Sequence, residues 1–119
     1  MFETVLLPMD ANPQALDTAV KALELVQGHD SCLVLLELLD LAPDPSLLER
    51  IKARIDQSGV PCQRLERAGE PLTVILDVAD ELNVDVIVMG TGGVSLNSDD
   101  GSTAARVIEL APCPVLVVP

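Results

Sequence analysis

Apolar and polar positions change rhythm along this chain in a regular way. Thr4 to Met9 is a short apolar run rich in Val and Leu. It should end near Pro8, which has no N–H for a strand ladder. The spacing then becomes helical, with Leu16, Ala19, Val20, Leu23 and Val26 recurring three and four apart. Asn12 is placed to cap that helix, Pro13 to open it and Gly28 to stop it. Ser31 to Leu39 is almost continuously apolar, broken only by Glu37. Its length and turn-like flanks favour a buried strand, although its leucine content leaves a helical segment open.

Ser46-Leu47-Leu48-Glu49 has capping-box spacing after Pro43 and Pro45. Leu47, Leu48, Ile51 and Ile55 line one face of the helix it opens, and Gly59 ends it. Arg50, Lys52 and Arg54 fall on the other faces, where a solvated surface is expected rather than an interaction patch. Val60 to Arg67 alternates weakly and reads as a third strand. Gly69-Glu70-Pro71 leads into a helix with apolar positions Leu72, Ile75, Val78, Ala79 and Leu82. Val84 to Met89 is a strong strand with Asp85 as its one polar interruption. After a glycine-rich polar loop, Gly90 to Gly101, comes a short helix, Ser102 to Ala111, stopped by Pro112. Val115 to Val118 is a last strand between Pro114 and Pro119.

Five apolar strands alternating with four amphipathic helices predict an α/β fold whose parallel sheet is covered on both faces. Right-handed crossovers make a five-stranded doubly wound sheet of order 3-2-1-4-5 the natural arrangement. No repeat or linker divides the chain, so residues 1–119 are expected to form one domain. In that order the first and fourth strands flank the switch point, and ligands of such sheets bind outside the carboxyl ends of the strands there. Pro8, Met9 and Asp10 after the first strand, and Gly90 to Thr103 after the fourth, are therefore the candidate site.

Composition narrows the chemistry. The 119 residues carry 19 acids against 7 bases, a net charge of −12. Such a chain repels phosphate backbones and anionic lipid, so neither nucleic acid nor a membrane surface is an expected partner. Its one aromatic residue, Phe2, offers no platform for stacking bases. No apolar stretch approaches the roughly 20 residues of a membrane span. Glu3 follows the first two residues without a basic region, so no secretory leader is expected. Cys32, Cys62 and Cys113 are odd in number and well separated, which predicts free buried thiols and a cytoplasmic location. His29, the only histidine, has no partner at metal-ligand spacing and is expected in a loop.

Gly90, Gly92, Gly93 and Gly101 are four of the seven glycines. Glycine allows close backbone approach, and Gly101-Ser102-Thr103 opens a helix whose free N–H groups attract anions. A phosphate cradle is thus plausible, but sharper motifs fail. A dinucleotide-binding GxGxxG would need glycine where Ser95 stands, and a P-loop would need a lysine after Gly101. An EF-hand aligned on Gly101 would begin at Leu96 and end at Val107, which chelate nothing. No base, nucleophile and orienting partner stand out, so no catalytic residue is assigned. Asp10 and Ser102 have bland readings too, as a turn residue and a helix cap, and Met89 as plain core.

The chain resembles the universal stress protein family. The likeness lies in Val5-Leu6-Leu7-Pro8-Met9-Asp10, Gly69-Glu70-Pro71, Asp85-Val86-Ile87-Val88-Met89-Gly90-Thr91, and Ala111-Pro112-Cys113-Pro114-Val115-Leu116-Val117-Val118-Pro119. It covers nearly the whole chain and makes Ser31 to Leu39 the second strand. It implies an adenine-nucleotide alpha hydrolase-like fold and a small regulatory module of the stress response, which in some members binds ATP. Those members carry a signature of glycine, two residues, glycine, nine residues, then glycine and Ser or Thr. Gly90, Gly93, Gly101 and Ser102 match it, but only seven residues, 94 to 100, separate Gly93 from Gly101. The segment before the third strand is also short for the family.

By this resemblance Pro8, Asp10, Met89 and Gly90 would meet base and sugar. Gly93, Gly101, Ser102 and Thr103 would hold the phosphates of ATP or another adenine nucleotide. The loop has no Arg or Lys, and Asp99 and Asp100 would repel a polyphosphate unless a divalent metal bridged them. Two alternatives are a scaffold that binds no nucleotide and, less favoured by the shortened loop, a slow metal-dependent nucleotide hydrolase using Asp10, Asp99 or Asp100. Val115, Leu116, Val117 and Val118 would form an uncharged edge strand, which normally recruits another strand. A homodimer through antiparallel pairing of these strands is expected, as is common in the family.

Overall fold

A computed structural model describes residues 3–9, 13–41, 44–90 and 103–119. It contains β1 (Thr4–Met9), α1 (Ala15–His29), β2 (Cys32–Leu38), α2 (Pro45–Ser58), β3 (Cys62–Arg67), α3 (Pro71–Glu81), β4 (Val86–Gly90), α4 (Thr103–Leu110) and β5 (Val115–Val118). A short 3₁₀ turn, Leu39–Leu41, follows β2. The five strands form one parallel sheet of order β3-β2-β1-β4-β5, as the alternating pattern predicts.

Strand alternation sends side chains to two cores. Val5, Leu7 and Met9 of β1, with Leu33 and Leu35 of β2, pack under α1 and α2. Leu6 of β1, Val34, Leu36 and Leu38 of β2, and Ile87 and Met89 of β4 pack under α3 and α4. All are almost inaccessible to water, so each helix is held by its apolar stripe rather than by intrinsic helix propensity.

Several local boundaries differ from the sequence pattern. Pro13 lies in a turn, and α1 starts two residues later, after Gln14. Asn12, the expected cap, lies outside the described residues. Nor does Gly28 stop α1. The helix continues through His29, which is its last residue rather than a loop residue, and Asp30 takes the left-handed position at φ 54°. Aspartate tolerates that conformation because its short polar side chain can bond locally. Ser46 does not cap α2 either. Asp44 does so, its carboxylate accepting from the Ser46 N–H at 3.0 Å, with Pro45 in the first turn. A carboxylate one residue before proline satisfies one of the orphan N–H groups of the first turn, in place of the bond to the Glu49 N–H that a capping box at Ser46 would make. Gly59 ends α2 at φ 73°, as expected.

Arg50 and Arg54 are exposed, as expected of a solvated basic face, and only Lys52 departs from it. Its Nζ lies 2.8 Å from Glu37 Oε1, and the Glu37 side chain is 9% exposed. The cysteines are free but half-buried rather than buried. Burial nevertheless pushes the Cys62 and Cys113 thiols above their ordinary value, and the Asp85 charge adds to this at Cys113. No helix among the described residues is long and apolar enough to cross a membrane.

Candidate functional site

The switch point lies between β1 and β4, and the ladders around it are unequal. β1 pairs with β2 along its whole length, from Thr4↔Cys32 to Met9↔Glu37. It pairs with β4 only at Val5↔Val86 and Leu6↔Ile87. Above that point Pro8 offers no N–H, so nothing holds the two carboxyl ends together by a ladder bond from that residue. The strands part there. The cleft between them is lined, among the described residues, by Leu7, Pro8, Met9, Ala15, Thr18 and Gly90.

Gly90 is the last residue of β4 and lacks a side chain where α1 crosses it. A Cβ at this position would stand 2.6 Å from Thr18 Oγ1 and 3.7 Å from the Val118 carbonyl oxygen. The contact lets α1 sit down on the end of β4 and brings the Thr18 hydroxyl to the cleft. Thr18 is 6% exposed, and its hydroxyl donates to the Gln14 carbonyl at 3.5 Å. Sequence spacing missed this residue because a threonine within an apolar helical stripe reads as core. Only the missing Cβ of Gly90 on another element makes it a cleft residue.

The other site candidates divide between the described and undescribed parts of the chain. Pro8 is buried at the end of β1. Met89 is 6% exposed, with its side chain in the core under α3 and α4, so its backbone is what borders the crest. Thr103 is the exposed first residue of α4. Asp10, Gly93, Gly101 and Ser102 lie outside the described residues, as do Asp99 and Asp100. Among the described residues no group of three or more His, Cys, Asp or Glu could hold a metal ion.

Glu70 closes the start of α3. Its carboxylate accepts from the Thr73 N–H at 2.8 Å, from the Thr73 hydroxyl at 2.8 Å and from the Leu72 N–H at 3.3 Å. These bonds, with the Arg106 charge adding to them, hold its carboxyl below the ordinary value. The N-terminus of α3 is thus already closed by the protein's own anion, and α2's is closed by Asp44. Gly69, at φ 129°, supplies the turn before Glu70, and its N–H donates to Asp40 Oδ2 at 3.2 Å. Gly69-Glu70-Pro71 is therefore a turn-and-cap unit.

Asp85 has a comparable structural task at the opposite end of the sheet. Its Oδ2 accepts from the Glu3 and Thr4 N–H groups, both at 2.9 Å, and ties the start of β1 to β4. A roomier groove of about 230 Å³ lies between α1 and α2, lined by residues including Leu23, Glu24, Arg54 and Ser58. Ser58 ends α2, which places this groove away from the parted strands.

Comparison with known proteins agrees with this architecture. Residues 45–119 match the model of the universal stress protein family. A universal stress protein of Synechocystis is 40% identical over 136 aligned positions, covering 100% of this chain and 87% of its own length. Among solved structures, a universal stress protein in complex with cAMP superposes with a TM-score of 0.80 at 20% identity, covering 98% of this chain and 97% of that one. A universal stress protein family protein from Arabidopsis thaliana with AMP bound gives 0.71 at 20% identity, covering 98% of this chain and 90% of that one. At such identity the two structures speak to the fold.

Proposed function

Because the chain belongs to the universal stress protein family, we propose that it is a small regulatory module that binds an adenine nucleotide at the crest between β1 and β4. The observation that carries this reading is the parting of β1 and β4 above Leu6 and Ile87. An open α/β sheet takes its ligands at such a point. Two proteins of the same fold, named as bound to cAMP and to AMP, support the ligand class.

In this reading the ends of β1 and β4, with Pro8, Asp10, Met89 and Gly90, border base and sugar. Met89 serves through its backbone, since its side chain is core. Gly93, Gly101, Ser102 and Thr103 hold the phosphates. The N-termini of α2 and α3 are closed by Asp44 and Glu70, so neither is free to take the phosphates. A triphosphate would need a divalent metal to offset Asp99 and Asp100. The module is one domain, acts in the cytoplasm and works as a homodimer. The dimer joins through β5, whose Leu116 is 42% exposed on an edge with no charged side chain.

Calorimetric titration of ATP and AMP, with and without magnesium, tests the ligand. Saturable binding that is lost in Gly101→Val is expected. No heat at millimolar nucleotide with or without the metal would reject it and leave the scaffold reading. Light scattering tests the dimer: Leu116→Lys should halve the mass, and a monomeric wild type at high micromolar concentration would reject it.

A further inference from the structure

We propose that Thr18 is the side chain that recognises the sugar of the bound nucleotide, its hydroxyl forming a hydrogen bond with one ribose hydroxyl. The inference rests on the nucleotide reading above and adds a residue and a chemical contact to it.

The argument starts from the lining of the cleft. Leu7, Pro8, Met9, Ala15 and Gly90 offer no polar side-chain atom. Thr18 is the one lining residue, among those described, whose side chain can hydrogen-bond. It is also one of three buried polar or charged side chains among the described residues, with Ser31 and Glu37. Glu37 is matched by Lys52 at 2.8 Å. Thr18 is served less well. Its bond to the Gln14 carbonyl is 3.5 Å long, whereas a good O–H···O bond is about 2.5–3.0 Å. Burying a hydroxyl without a good partner is unfavourable, and valine has nearly the same shape. The threonine hydroxyl, having given its proton to Gln14, keeps its lone pairs free to accept a further bond.

Gly90 supplies the room that the Thr18 hydroxyl occupies. Any larger residue would place its Cβ 2.6 Å from Thr18 Oγ1 and cover the oxygen. The size of the space then selects the ligand group. The cleft has about 10 Å³ of room, comparable to the space one water oxygen needs. A phosphate or a ring does not fit into that volume, but a single hydroxyl reaching down between the parted strands does. A ribose hydroxyl both donates and accepts, as the threonine hydroxyl does, so either can supply the proton.

The test is a set of calorimetric titrations with AMP, 2′-deoxy-AMP and 3′-deoxy-AMP against wild type, Thr18→Val and Thr18→Ser. Wild type should bind one deoxy analogue about three- to tenfold more weakly than AMP, the range of one net hydrogen bond. Thr18→Val should bind AMP weakly by the same factor and no longer distinguish that analogue. Thr18→Ser should still distinguish it. The losses should not add when protein and ligand hydroxyls are both removed. Discrimination that persists unchanged in Thr18→Val overturns the proposal, and so does a wild type that treats all three ligands alike. A wild type that binds none of them overturns the nucleotide reading itself, which the first AMP titration shows separately. If circular dichroism shows Thr18→Val unfolded, Thr18→Ala against Thr18→Ser makes the same comparison.

Discussion

The two faces of the sheet bury different chemistry. Under α3 and α4 every buried residue of the core cluster is apolar, from Leu6 and Leu36 to Ile75, Ile87 and Val107. The polar groups of that side sit at its margins, where Glu70 and Asp85 bind backbone N–H groups. Under α1 and α2 the core is equally tight but contains Thr18 from α1 and the Glu37–Lys52 pair between β2 and α2. A purely apolar face needs only volume and shape. A face with buried polar groups also depends on each partner being in place, because an unmatched charge or hydroxyl is costly there. The difference teaches where stability is set and where specificity is. Of the three buried polar or charged side chains among the described residues, Ser31 precedes β2, whereas Thr18 and Glu37 lie toward the carboxyl ends of β1, β2 and β4, with Glu37 in register beside Met9 and Thr18 against Gly90.

The largest break in this comparison should come from Lys52→Met. It strands the Glu37 carboxylate in the core and should cost about 3–5 kcal/mol in urea unfolding. Glu37→Leu combined with Lys52→Met should recover most of that loss, because no charge is then left unpaired. Ile75→Ala on the apolar face should cost about 2–5 kcal/mol by cavity formation, with no second-site charge change able to restore it. Gly90→Ala should cost about 1–3 kcal/mol, since the added Cβ meets the Thr18 hydroxyl. Thr18→Ala should relieve that clash, so the double variant should melt above Gly90→Ala alone.

The smallest effect belongs to the margin of the apolar face. Glu70 has a lowered carboxyl value in the folded state, so its stabilising effect is present above the ordinary carboxylate value of 4.5. It fades as pH falls through the lowered value. Glu70→Gln should therefore melt below wild type at neutral pH, and the difference should close as thermal melts are taken into the acid range.

Much of this was legible in the chain. The apolar runs Thr4 to Met9, Ser31 to Leu39 and Val84 to Met89 read as buried strands because a strand with so little polarity needs cover on both faces, and the structure places β1, β2 and β4 there within two residues. Alternation and handedness made the observed order of the sheet the natural choice, and that order sets the place of the candidate site. Helix ends were less legible. Asn12-Pro13 and Ser46 are good caps in isolation, yet α1 begins after Gln14 and α2 is capped by Asp44. Which of several neighbouring polar residues closes a helix depends on where packing lets the first turn form. Thr18 was passed over and Lys52 misjudged for a related reason. A threonine in an apolar stripe and a lysine among arginines acquire their meaning only from a residue on another element.

The sequence by itself determined the alternating α/β architecture, the strand order and the crest between the first and fourth strands. Periodicity and chain handedness are local properties and survive without knowledge of neighbours. Tertiary structure alone decided that β1 and β4 part above Leu6 and Ile87, that Gly90 leaves room for the Thr18 hydroxyl, and that the half-buried Lys52 pairs with the buried Glu37. Each of these depends on distances between residues far apart in the chain, and those distances are set by how the helices settle on the sheet.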